Sequence, residues 1–306
     1  MDGTDKPVVS VWHEGELLIQ QRAGVRHQAD DLTGMYKRDV PAGMAGFLTQ
    51  QQFAVLSAED ANHRVWANLI AGTPGMIDVR DVNTVALVPS NIETKLPVHD
   101  IAADAKVGLL AIDFARRIRV RVNGEALFEP DGSIDIRIAQ LYGNCSQYIQ
   151  KRVLDCQGVS AVNGHVNSSA ILSESQQQFV SRADTFFLAS RHPQHGADAS
   201  HRGGKPGFVF ATSPTQISFP DYSGNNMFNT LGNIAVNPAV GLLFVNFETG
   251  DTLQVSGRAS VDWDPARAAQ FPNAHRVIDI EVNAARETIA ATSLRYRFIG
   301  YSPTLG

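Results

Sequence analysis

The sequence predicts a mainly β protein with peripheral helices, arranged as two small β-barrels in tandem. Three observations lead there. First, the chain repeats itself: VGLLAIDF at 107–114 returns as VGLLFVNF at 240–247, with five of eight positions identical. Second, the offset of 133 residues (Val107 to Val240) persists without a gap, since Val122 and Gly124 fall on Val255 and Gly257, and upstream Phe53 falls on Phe186. A period this long marks a repeated domain rather than a solenoid unit. Third, short apolar or alternating runs recur with turn residues between them, the pattern of antiparallel barrels and sandwiches. The repeat sets the domains at 1–160 and 161–306, joined by a helix near 145–155 and a polar linker near 157–170.

The elements follow in order. Residues 13–27 (HEGELLIQQRAGVRH) carry a helical pattern that Gly24 weakens. A Gly-rich stretch at 42–47 precedes the strands FAVLSA (53–58), VWANLIAG (65–72), MIDVR (76–80), TVALVP (84–89), VGLLAIDF and IRVRVNGEALF (118–128). Pro130-Asp131-Gly132 forms a turn, because Pro presets φ and Gly accepts positive φ. IDIRIAQL (134–141) then alternates strictly. In the second half TFFLAS (185–190) precedes a long loop at 191–205. GFVFA (207–211), QISFP (216–220), VGLLFVNF, TLQVSGRASV (252–261) and VIDIEV (277–282) follow. Asp264-Pro265 opens a short helix, with Asp as cap and Pro in the first turn.

Composition narrows the function. A formal net charge of −5 argues against nucleic acid or an anionic membrane as main partner, since both need clustered cations. The one dense basic stretch, Arg116, Arg117, Arg119 and Arg121, alternates with Ile118 and Val120 and predicts the wet face of a strand. Two cysteines, Cys145 and Cys156, and no apolar leader fit a cytoplasmic protein. Cys145 and the helix around Tyr148 and Ile149 are expected to pack inward. Trp12, Trp66 and Trp263 are expected in core or interface.

Chemistry concentrates in the second half. The segments ASRHPQHGADASHRGGK (189–205) and FPDYSGNNMFNTLGN (219–233) have no counterpart of similar character in the first. Gly203, Gly204 and Gly207 permit close backbone approach. Arg202 offers a planar five-donor fork and Ser200 a hydroxyl, a combination suited to a phosphate monoester. Asn229 and Thr230 add neutral donors. No metal is expected: His192, His195 and His201, with Asp198 among them, lack strict tetrahedral spacing. The glycine-rich dinucleotide fingerprint, the Walker loop, GxSxG and HExxH are all missing.

The second half resembles the pyridoxamine 5′-phosphate oxidase-related FMN-binding split barrels, in GKPGFVFA, SFPDY, NPAVGLLF (237–244) and LQVSG (253–257). WHEGE (12–16), YGNCSQYIQKR (142–152) and the two polar segments fit a larger, two-lobed branch of that group. The resemblance implies a noncovalent FMN near a barrel–barrel interface. It places Asn229 and Thr230 where the oxidase has an Arg-Lys pair on the phosphate, so Arg202 is the candidate for the missing charge. Gln254 falls where the oxidase has a glutamine on the flavin, and Phe208, Val209 and Phe210 on the strand running along it. That strand lacks the oxidase's Arg and Lys, so the chain is not expected to oxidise pyridoxamine phosphate itself.

The expectation is an FMN-dependent oxidoreductase, drawing on NAD(P)H and acting on a small molecule, with Ser200, Arg202, Phe208, Val209, Asn229, Thr230 and Gln254 as cofactor-binding residues. The rival is a non-catalytic flavin- or haem-binding protein, with His192, His195 or His201 as axial ligand. The first lobe is expected to be a degenerate scaffold without FMN. It would pack on the second as an intrachain pseudo-dimer, in place of the homodimer of single-lobed relatives; further homodimerisation stays open.

Overall fold

The computed structural model describes residues 11–95, 101, 105–155 and 164–305. The amino-terminal lobe opens with three short helices, α1 (Glu14–Arg22), α2 (Arg26–Asp30) and α3 (Ala42–Thr49). Seven strands follow: β1 (Phe53–Glu59), β2 (Val65–Ala71), β3 (Ile77–Asp81), β4 (Thr84–Leu87), β5 (Lys106–Asp113), β6 (Ile118–Phe128) and β7 (Ile134–Asn144). Between the lobes lie β8 (Lys151–Asp155), β9 (His165–Ser169) and α4 (Glu174–Arg182). The carboxy-terminal lobe comprises β10 (Thr185–His192), β11 (Gly196–Gly203), β12 (Phe210–Ser213), β13 (Gln216–Tyr222), α5 (Asn229–Val236), β14 (Ala239–Val245), β15 (Thr252–Asp262), α6 (Pro265–Ala268), β16 (Ala274–Ile289) and β17 (Arg295–Gly300). The fold is mainly β. No helix among the described residues is long and apolar enough to cross a membrane.

Both large sheets are antiparallel and share one strand order, β2-β1-β5-β6-β7-β4-β3 in the first and β11-β10-β14-β15-β16-β13-β12 in the second. Bulges recur at matching places, between Asn123 and Gly124 and between Ser256 and Gly257. The central strands are buried on both faces, which explains their near-continuous apolar runs. Val107, Leu109 and Ala111 of β5 face their own lobe's core, while Leu110 and Ile112 face a third core between the lobes. In β14 the division repeats, with Val240, Leu242 and Phe244 inward and Leu243 and Val245 in the shared core.

Contacts across the shared core are reciprocal. A Cβ on Gly108 would sit 2.7 Å from Ala197 O and Asp198 Cα; one on Gly241 would sit 2.7 Å from Val65 O and Trp66 Cα. Only glycine lets β5 lie on β11, and β14 on β2, at this distance. Phe114 and Phe247, which share a position in the repeat, meet edge to face at 5.2 Å.

Several expectations need correction. The offset of 133 holds for β5/β14 and β6/β15 but not for β1/β10, where pairing to β5 and β14 matches Ala54 with Phe186. Phe53 lies in the shared core and Phe186 in the lobe's own core, so the one-residue slip would have turned every side chain of the strand to the wrong face. The expected loop at 191–205 is largely β11, hydrogen-bonded to β10 from Thr185–Gly203 to His192–Gly196, and it is the topological counterpart of β2. Its Ser, Ala, His and Gly composition conceals a strand because its side chains are buried against both the sheet and the other lobe.

The helix expected at 145–155 gives way to β8, paired with β17. The helix expected over 13–27 breaks into α1 and α2 around Gly24, whose φ is +71°. Phe208 and Val209 precede the strand expected to contain them. Ile149 is buried, whereas Cys145 is exposed. Trp12 and Trp66 are buried as expected. Asp264 caps α6 by accepting from Ala266 N, and Gly132 takes φ +83° in its turn. The 160/161 boundary and Cys156 lie outside the described residues.

Candidate functional site

A cleft of about 850 Å³, its open mouth included, lies where the carboxy-terminal lobe meets β6. Its floor is β11 and its back the start of α5. One side is formed by Arg119 and Arg121 of β6, and the rim by Cys145, Tyr148 and Tyr222.

Helix α5 starts in an unusual way. Phe228 precedes it with φ +61° in the left-handed region and supplies no side-chain cap. Asn226 (φ +61°) and Tyr148 (φ +64°) are likewise left-handed, so three non-glycine residues around one cleft hold a costly conformation. The N–H groups of the first turn have no partner within the helix and carry the positive end of its dipole. Phe228, Asn229, Thr230 and Leu231 all border the cleft. An anion seated there would meet backbone donors.

The side chains around this helix end are rich in positive charge. Arg121 and Asp198 pair at 2.9 Å, and Tyr142 OH also donates to Asp198. Burial opposes the charge on Arg121, but Asp198 more than offsets this and raises its pKa. Arg202 donates to Asp221 at 3.0 Å, and Arg276 pairs with the other oxygen of Asp221. Arg119 pairs with no carboxylate among the described residues; it donates from Nη1 to His201 Nδ1 at 3.0 Å. Burial first, then Arg121 and Arg202, push its pKa down to about 9. Four guanidiniums therefore meet two carboxylates. Nε of both Arg119 and Arg202 is buried without a hydrogen-bond partner among the described residues. Such a surplus fits a phosphate dianion, which supplies both missing charge and acceptors.

Five of the seven expected residues converge on this cleft: Ser200, Arg202, Phe208, Asn229 and Thr230. Their side chains are committed in ways that the sequence did not suggest. Asn229 Nδ2 donates to Glu16 and to Tyr36 OH. Thr230 donates to Ser200 Oγ, which donates to Leu188 O. What Asn229 and Thr230 bring to the cleft is the backbone of the helix start. Phe208 stacks on Phe186, with centroids 5.7 Å apart, and forms a wall. Val209 is fully buried in the lobe's core.

Gln254 lies elsewhere, in a second cleft beside Asn68, where it donates to Ala67 O. The residue at its position in the first cleft is Arg121, since Leu110 pairs with Arg121 as Leu243 pairs with Gln254. Arg119 and Arg121, taken from the sequence as a wet strand face, thus line the interface between lobes. The signal was present, because the offset of 133 sets Arg121 on Gln254.

The histidines are engaged. His192 Nδ1 accepts from the backbone N of Gln194 and His195, and its Nε2 faces Glu14 at 2.9 Å. His13 Nδ1 accepts from Gly15 N, and its Nε2 faces Asn233 Oδ1. His13, Glu14 and His192 converge closely enough to hold a metal. Both rings, however, place their proton on the nitrogen that would ligate it. Arg119 likewise fixes the proton of His201 on Nε2, which weighs against His201 as an axial ligand.

No curated protein matches the chain. Solved structures that match part of the chain include a candidate pyridoxamine 5′-phosphate oxidase of Lactobacillus delbrueckii, at 18% identity over 38% of this chain and 94% of that one (TM-score 0.31). A FAD-binding protein of Mesorhizobium loti is 15% identical over 41% and 98% (TM-score 0.30). General Stress Protein 26 of Bacillus anthracis is 13% identical over 41% and 97% (TM-score 0.29). Residues 172–298, which hold β10 to β16 and α5, match the family model of pyridoxamine 5′-phosphate oxidase, and this match supports a relationship of the carboxy-terminal lobe to that family.

Proposed function

We propose that the cleft between β11, α5 and β6 binds FMN by its phosphate and that the protein is an FMN-dependent oxidoreductase supplied by NAD(P)H. The observation that carries this is the uncapped start of α5, facing a cleft where Arg119 lacks a carboxylate partner among the described residues and Arg202 shares one with Arg276. The backbone N–H groups of Asn229 and Thr230 and the guanidiniums of Arg202 and Arg119 hold the phosphate. Phe208 walls the site, and the Tyr148–Tyr222 stack, at 5.4 Å, borders the ring's entrance. Bound flavin supplies the hydride or electron transfer; the protein orients it and limits its contact with water.

The same reading treats the chain as an internal duplication whose split barrels pair as a pseudo-dimer. The shared strand order and the reciprocal glycine contacts support it. One flavin per chain is expected, since the cations of the second cleft, Lys95 and Arg286, stand beside Glu93 and over Trp66 rather than at a helix start. Absorbance after heat release measures this directly. NADH or NADPH should bleach the bound flavin and air restore it. Protein that carries no flavin, and takes up none from solution, rules the reading out.

A further inference from the structure

Helix α1 lies outside the residues matched by the family model, yet it packs directly behind the cleft. Gly15 and Gly232 cross so closely that a Cβ on Gly15 would stand 2.1 Å from Gly232 O, and one on Gly232 would stand 2.6 Å from Glu16 Cγ. The crossing drives Glu16 against the first turns of α5. Its carboxylate is buried, with Oε1 accepting from Asn229 Nδ2 at 2.6 Å and Oε2 from His13 N at 2.9 Å. No lysine or arginine pairs with it among the described residues.

We infer that Glu16 is a positioning residue for the cleft, and that it couples uptake of one proton to the binding of an anionic phosphate at the start of α5. This rests on the phosphate reading above. Asn229 links the two: its side chain is held by Glu16 while its backbone opens the helix toward the cleft. A phosphate seated on that first turn brings negative charge within one residue of the carboxylate. Two anions sharing one helix end repel, so the bound state favours Glu16 as the neutral acid. The proton comes from solvent through a polar cavity lined by Glu16, Asn123, Gln140, His195 and Asn233.

The groups facing Glu16 are compatible with this. From its own helix come His13 and Glu14; from other elements come Tyr36, Tyr142 of β7 and Asp198 of β11, which Arg121 of β6 neutralises. Burial first, against hydrogen bonds from His13 and Asn229 and with repulsion from Asp198 and Glu14, pushes Glu16 up to about 7. Burial and His192 push His13 down to about 4, so the ring adds no cation at neutral pH.

The sign follows. The bound pKa exceeds the free value, so phosphate binding is strongest below about pH 7 and weakens as pH rises above it. The test is titration of the whole protein with FMN between pH 6.5 and 8.5, read by quenching of flavin fluorescence, with riboflavin as the control lacking phosphate. Wild type should lose about tenfold in FMN affinity relative to Glu16→Gln across this range. Riboflavin should show no such difference. Ionisation of the phosphate and of Arg119 acts equally on both proteins, so the comparison isolates Glu16.

A second measurement needs no variant: at pH 8, adding FMN to wild type should bring up the infrared C=O band of a protonated carboxyl. Identical pH slopes in wild type and Glu16→Gln overturn the inference, as does an equal slope with riboflavin or the lack of a new carboxyl band. If FMN binds at no pH, the flavin reading fails by itself. Inorganic phosphate, followed by its ³¹P shift, is then the probe, and a pH slope abolished by Glu16→Gln upholds the coupling while its persistence or absence overturns it.

Discussion

The two clefts occupy matching places in the two sheets and differ in nearly every group that could hold an anion. Pairing through the sheets sets Asn68, Leu69 and Ile70 opposite the roles of Ser200, His201 and Arg202, and Thr252 and Gln254 opposite Arg119 and Arg121. Behind the first cleft, Asp198, Arg121 and Tyr142 form an ionic network. At the corresponding positions of the second, Arg286 lies 4.1 Å over the ring of Trp66 and Gln254 bonds backbone. The backbone alone therefore makes a cleft, and side chains on two or three strands decide whether it is charged. Fold is shared while the site is not.

The comparison can be broken most severely at its ionic core. Asp198→Ala strands the buried Arg121 and should cost about 3–5 kcal/mol of stability in urea unfolding. Its mate, Trp66→Phe, loses chiefly one hydrogen bond to Asp60 and should cost about 1–2 kcal/mol. Equal losses would mean that charge is not what separates the clefts. Next comes binding: Arg202→Ala and Arg119→Ala should each weaken FMN by about 1.5–3 kcal/mol. Thr252→Ala, at the position matching Arg119, should leave FMN affinity unchanged in the same fluorescence titration.

The shared core gives a test of reciprocity. Gly108→Ala and Gly241→Ala each force a methyl against opposing backbone and should each cost about 1–3 kcal/mol. A clear inequality in their melting midpoints would show that the two halves of the interface are not equivalent. The smallest effect belongs to Gln254→Ala. Lying in the second cleft, it should leave the bound-flavin spectrum unaltered and change FMN affinity by less than about 0.5 kcal/mol. A shifted spectrum would place flavin in the second cleft.

Much of this was legible in the sequence. Strands β5 and β14 stand out because they are apolar on both faces, β6 and β15 follow them at the same offset, and the repeat made their equivalence visible. Ser200, Arg202, Asn229 and Thr230 were picked for their donors, and they do meet. What stayed hidden was set by tertiary context. Strand β11 shows no apolar alternation, since small and polar residues fill the tight space between lobes. Helix α5 is begun by a left-handed Phe228 rather than by a Ser, Thr or Asp cap, so the usual start signal is missing. Arg119 and Arg121 look solvated until the second lobe is laid over them. Gln254 does lie on a strand, but strand position alone does not say which of two clefts a side chain enters.

Covalent linkage of the lobes has a consequence for how such a protein can change. In a symmetric pair of identical chains each mutation is written into both sites at once, so neither can be altered without the other. Here position 119 and position 252 are separate letters. An arginine at one places no demand on the other, so one cleft can carry a charge that the matching cleft lacks.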